Sequence, residues 1–165
     1  MPPITATPTP ADPYENFKFR VKWDGKYVAG VSIITGLNRS TTVVQSAQGG
    51  DSNTSAKSPG PSQYEAITLE RGLTQDTAFE DWANLVYKLG AAAGSESSAA
   101  FRKDIVIELY NEAGQVVRAY DIYRCWPSYF SALSSLNADT PGLAIESITL
   151  ENEGWQRDAS VVPPV

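Results

Sequence analysis

The chain has 165 residues, a net charge of −6 and no histidine. The length suits one domain with a real core, and the acidic balance disfavours nucleic acid as a primary ligand, because phosphate binding needs a concentrated basic surface. The missing histidine removes Ser-His-Asp, Cys-His and histidine–metal chemistry together.

Residues 1–13, MPPITATPTPADP, are rich in Pro and Thr and read as a flexible arm. The arm has neither a charged n-region nor an apolar h-region, so it does not read as a signal peptide. Residues 14–157 are read as a single domain. Its first strand, about 14–24, alternates Phe17, Phe19, Val21 and Trp23 with Lys18, Arg20 and Lys22, so one face is apolar and the other basic. Asp24-Gly25 supplies a two-residue turn in which both residues can take positive φ. A second strand is expected over 27–36 and a third over 40–47. Residues 48–63, QGGDSNTSAKSPGPSQ, hold almost nothing apolar and are expected to be one long polar loop.

A strand over 64–72 follows, with Ile67 and Leu69 on one face. Thr74 or Asp76 can cap a helix over 76–90, whose apolar stripe is Phe79, Trp82, Ala83, Val86 and Leu89, with Gly90 as its C-cap. The run AAAGSESSAA at 91–100 reads as a flexible connection. A second hairpin is expected from strands at 103–110 and 115–125, with Ile105, Ile107 and Leu109 sharing a face. SYFSAL, after Trp126-Pro127, reads as another strand or a bend. LAIESITLENEG gives the last long strand, and residues 158–165 a loosely held tail. The sum is a mainly β chain: an antiparallel β-sandwich or barrel of about seven or eight strands with one packed α-helix.

No catalytic, cofactor-binding or metal site emerges. Cys125 is the single cysteine, in YRCWPSYF, and reads as a small buried thiol. Glu80-Asp81 and Glu151/Glu153 do not face one another across a cleft as acid–base pairs must. Asp51-Ser52-Asn53 lacks the ligand spacing and closing Glu of a calcium loop, and no Gly-Lys-Ser/Thr follows Gly49-Gly50 or Pro59-Gly60-Pro61. Tyr14, Trp23, Tyr27 and the group Tyr120, Tyr123, Trp126, Tyr129 and Phe130 read as core or interface packing, with stacking on sugars or bases as the alternative. No segment approaches the roughly 18 apolar residues of a membrane span, so direct membrane insertion is not expected.

Five segments in order, DPYENFKFRVKWDGKYVAGVSIITGL, KSPGPSQYEAITLERGLT, FEDWANLVYKL, IVIELYNEAGQVVRAYDIYRCWPSYF and AIESITLENEGWQR, together resemble the tail-tube proteins of contractile phage tails and phage-derived injection systems. The arm at 1–11 and the insert at 91–100 look like additions to that pattern, and Gln45-Ser46-Ala47 is less charged than is common there. The resemblance implies a non-enzymatic tube subunit, similar in fold to the type VI secretion tube protein, that closes into hexameric rings stacked as a hollow inner tube. It implies a contractile sheath, baseplate and spike proteins, and protein cargo in the lumen as partners, with assembly in the bacterial cytoplasm into a particle that is released or membrane-anchored. Expected contact residues between subunits are Gly49, Gly50, Asp51, Lys57 and Tyr64 in the polar segment, with Arg71, Trp126, Pro127 and Trp155 as structural or interface residues at the closing corner. Lys18, Arg20 and Lys22 are expected on a solvent-, lumen- or neighbour-facing side. Two alternatives stand beside this reading: a phage or prophage tail tube conducting DNA, and a monomeric β-sandwich carbohydrate-binding module.

Overall fold

The computed structural model describes residues 18–46, 55–91 and 101–164, apart from the side chains of residues 90 and 91. The strands are β1 (Lys18–Trp23), β2 (Lys26–Tyr27), β3 (Val31–Ile34), β4 (Arg39–Ser46), β5 (Ala56–Tyr64), β6 (Ile67–Gly72), β7 (Lys103–Tyr110), β8 (Val116–Ser131), β9 (Ile145–Glu151) and β10 (Gly154–Arg157), and helix α1 spans Ala78–Ala91. All pairings are antiparallel. The main sheet runs β2-β1-β7-β8-β9-β6-β3, with β10 also on β8, while β4 and β5 form a separate two-stranded ribbon.

Strand β8 explains how one path makes two layers. Its first part pairs with β7 and β10, and its last part with β9. Between them Arg124 takes φ 51, a left-handed conformation that costs a non-glycine residue roughly 1–2 kcal/mol. Two contacts hold the kink: Arg124 N–H donates to Asp104 Oδ1 at 2.9 Å, and its Nε meets Glu153 Oε2 at 2.7 Å. The strand thus turns a corner and folds the sheet over its own core. SYFSAL is therefore largely the continuation of β8 and not a separate strand. Pro127 fits because the ladder shifts register between Pro127 and Tyr129.

The core follows the period-2 pattern. Val21 and Trp23, Ile67 and Leu69, Ile105 and Ile107, Ile148 and Leu150 all point inward and are buried. Helix α1 closes one end with Phe79 and Trp82, which pack against Trp23 at ring separations of 5.9 and 5.0 Å. The Trp82 indole N–H donates to Phe101 O at 2.7 Å, so its polar edge is satisfied. Asp76 Oδ1 accepts the Ala78 N–H at 3.3 Å, as a helix start requires, and Glu80 and Asp81 sit in the first turn where the helix dipole favours acid. The helix ends at Ala91, so Gly90 lies within it and is not the C-cap.

Three further expectations are corrected. The strand expected over 27–36 is two short pieces, because the chain turns at Ala29-Gly30, where Gly30 takes φ 73. Residues 56–63 of the expected loop are strand β5, paired with β4 from Arg39↔Tyr64 to Ser46↔Ala56. The tail at 158–164 is tied down at its start. Asp158 N–H donates to Ala119 O at 2.9 Å, and Asp158 Oδ1 accepts the Ser160 N–H at 2.9 Å.

Candidate functional site

The β4–β5 ribbon is the part of this fold least explained by the subunit itself. Every residue of β4 is exposed, and β5 is exposed except for partial cover at Gly60 and Tyr64. Val43 and Val44 present 59% and 46% of their surface, far more than β-branched residues show inside a sheet. Proline is tolerated here because a two-stranded ribbon is all edge, and because the ladder shifts register between Thr41 and Val43, opposite Pro59–Ser62. Gly60 is required by closeness: a Cβ there would sit 3.0 Å from both Thr42 O and Val44 Cγ2. Lys57 lies on the exposed ribbon opposite Gln45. Gly49, Gly50 and Asp51 fall outside the described residues.

At the ribbon's base an aromatic stack joins it to the domain. Tyr64 and Tyr120 each meet Trp155 edge-on at 6.0 Å, and the Arg39 guanidinium lies 5.8 Å from both the Tyr64 and Trp155 rings. Tyr64 also covers Gly154, where a Cβ would lie 3.4 Å from its ring. Trp155 is half-buried, and its Nε1–H is buried without an acceptor among the described residues.

The corner residues divide. Arg71 is 0% exposed and Pro127 is buried, so neither offers surface to a neighbour in this conformation; their work is inside the subunit. Arg71 Nε donates to Glu146 Oε2 at 2.9 Å, Nη1 to Asp76 Oδ2 at 2.8 Å and Ala29 O at 3.1 Å, and Nη2 to Asp76 O at 2.8 Å. The Phe79 ring lies 4.1 Å from the guanidinium carbon. One side chain therefore ties β6 to β9, to the β2–β3 turn and to the start of α1. The hydrogen bond from Arg71 is the main reason that the Asp76 carboxyl is held below its ordinary range. Trp126 is half-buried and meets Phe101 edge-on at 6.4 Å.

Sequence reasoning missed Glu146 and Arg39, and gave Asp76 only as a helix cap. A signal for the first existed. Arg71 shares the inward parity of Ile67 and Leu69, and Glu146 that of Ile148 and Leu150, so each apolar face carries one charge of opposite sign. The register places them directly across from one another.

Lys18, Arg20 and Lys22 lie on the sheet face opposite the core. Arg20 sits 5.5 and 5.3 Å from the Tyr27 and Tyr110 rings, and Lys22 5.6 Å from Tyr27. Both tyrosine hydroxyls donate to Glu108 Oε2. Burial, and then that carboxylate, raise the Tyr110 hydroxyl above its usual range. Cys125 is 0% exposed, and burial pushes its thiol up to about 12, so it is no nucleophile at neutral pH.

A β-sandwich with a stapled interior thus carries an exposed ribbon that leans on the domain through its aromatic base. Comparison with known proteins gives it a family. The family described as T4-like virus tail tube protein gp19 matches residues 15–156. No curated protein matches the sequence. Among solved structures, a chain from the sheath–tube complex of the extracellular contractile injection system PVC in its extended state is 25% identical, with a TM-score of 0.71 over 89% of this chain and 92% of that one. A chain from the PVC sheath/tube terminator is 24% identical, with a TM-score of 0.74 over 92% and 100%. One from the baseplate of the anti-feeding prophage is 19% identical, with a TM-score of 0.71 over 92% and 97%. The chain belongs to the gp19 tail tube family and is a structural, non-enzymatic tube protein of the class found in contractile tails and injection systems.

Proposed function

We propose that this chain is the repeating subunit of the inner tube of a contractile injection system, closing into hexameric rings that stack into a hollow tube. A contractile sheath surrounds that tube, a baseplate with its spike seeds it, and protein cargo travels in the lumen. Assembly takes place in the bacterial cytoplasm, into a particle that is released or membrane-anchored. Likeness to chains from a sheath–tube complex and a baseplate supports these partners. The observation that carries the reading is the β4–β5 ribbon. Its strands of eight and nine residues are exposed over nearly their whole length, and an isolated two-stranded hairpin is at best marginally stable in water. Neighbouring subunits supply the missing support, and open strand edges are protected in the same step.

The double substitution Val43→Asp with Val44→Asp tests this. Each places a charge where the ribbon meets a neighbour, so sedimentation velocity should show large assemblies replaced by monomer while the thermal transition of the domain is kept. Undiminished assembly in the double variant contradicts the assignment. A second reading, the tail tube of a contractile-tailed phage conducting DNA, is favoured by the family's own description as a viral tail tube protein. Neighbouring genes separate the two: capsid genes for a phage, toxin cargo genes for an injection system.

A further inference from the structure

Where the first strand begins, the core opens into an apolar groove of about 330 Å³, lined by Phe19, Leu37, Ile107, Leu109, Tyr120 and Trp155. At about 30 Å³ per water, an empty groove of this size would set on the order of ten waters against an apolar, aromatic wall. Its Trp155 carries the indole N–H that lacks an acceptor among the described residues, a deficit that disfavours burial of the donor.

We propose that this groove is the docking site of the chain's own Pro/Thr-rich arm, residues 1–17. Three observations select this occupant. The arm joins the domain at Lys18, one residue from groove residue Phe19, so it starts at the rim. It carries five prolines, at 2, 3, 8, 10 and 13, and aromatic-lined grooves take proline-rich segments in the extended polyproline form, whose ordering cost is low. Its only charged side chains are Asp12 and Glu15, while Arg39 lies 5.8 Å from the Trp155 ring at the same site. A backbone carbonyl of the arm then accepts the Trp155 Nε1–H. Proline rings fill the space between Phe19, Tyr120 and Trp155, and Arg39 meets the arm's carboxylates. At about 3.3 Å per extended residue, eight residues span roughly 26 Å, enough to turn at the rim and cross the groove.

The test uses the full-length protein with a diazirine-bearing amino acid in place of Thr9. After irradiation, a denaturing gel separates links within one chain from links between chains, and mass spectrometry locates them. The proposal expects most adducts in the monomer band, on peptides containing Phe19, Leu37, Leu109 or Trp155. In a companion chain with Pro8→Gly and Pro10→Gly the yield should fall at least about fivefold. Adducts scattered over other surfaces overturn the proposal, as does an unchanged yield in the companion chain. Groove adducts confined to the dimer band overturn it too, by giving the groove to a neighbouring chain's arm.

Discussion

Arg71 is a cation enclosed by protein, and its surroundings decide what removing it does. Replacing it by leucine leaves Glu146, itself 5% exposed, as a buried carboxylate facing an apolar group. Breaking a buried pair from one side typically costs about 3–5 kcal/mol, whereas replacing both partners with apolar groups is often close to neutral. Arg71→Leu should therefore lower the unfolding free energy in urea by about 3–5 kcal/mol, and adding Glu146→Leu should recover a large part of that loss. A single-variant cost below about 1 kcal/mol would show that the network is incidental. Two carboxyls make opposite contributions to pH dependence. Asp76 is depressed from 3.8 chiefly by the Arg71 hydrogen bond, so its stabilisation is present above pH 3.8 and is lost as pH falls through its lower folded value. Asp121 is raised from 3.8 by burial, and next by Asp158 and Asp104, so it favours the fold below pH 3.8 and this contribution is lost as pH rises through its higher folded value. In melting curves from pH 2.5 to 7, Asp121→Asn should raise Tm at pH 7 and not at pH 2.5. Asp76→Asn should lower Tm at pH 7, with the difference shrinking below pH 3.8.

At the scale of elements, what could be read from sequence is what local patterns encode. The Asp24-Gly25 turn appears with both residues at positive φ, 53 and 72, and α1 buries Phe79 and Trp82 as its stripe requires. Strand β5 was illegible because Pro59, Gly60 and Pro61 signal a loop locally. What overrides them is pairing with β4 across a register shift, a non-local fact. The Arg124 kink was equally hidden, since nothing in YRCW announces a left-handed arginine; its anchors, Asp104 and Glu153, lie 20 and 29 residues away. Arg71 was legible as a marked position but not in its role, which needed the register of β6 on β9. Gly49, Gly50 and Asp51, expected as contact residues, lie outside the described residues. Gly60 gives a direct test of the ribbon as an element. Gly60→Ala brings a methyl to 3.0 Å from Thr42 O, so the ladder there must shift. Hydrogen exchange should show protection at residues 40–46 and 56–64 falling about tenfold or more, with the amides of β7 and β9 unchanged. Loss of protection throughout the domain would mean that the ribbon is part of the fold's core stability.

On the scale of the whole molecule, a domain with its own core carries a ribbon exposed over nearly its whole length. The domain has a closed core between two layers of one folded sheet, one end covered by a helix and a buried arginine stapling four segments together. The ribbon leaves Val43 and Val44 exposed, as the proposed contact with further copies of the chain requires. Each copy carries a charge of −6, so the proposed ring closes against self-repulsion, and assembly should be observed at physiological salt, where the Debye length is about 8 Å. The most direct measurement is negative-stain electron microscopy of the purified protein over a range of concentrations, with and without purified baseplate. The proposed function requires six-fold rings and stacked tubes, formed alone at high concentration or seeded by the baseplate. Uniform small monomers under both conditions would contradict it.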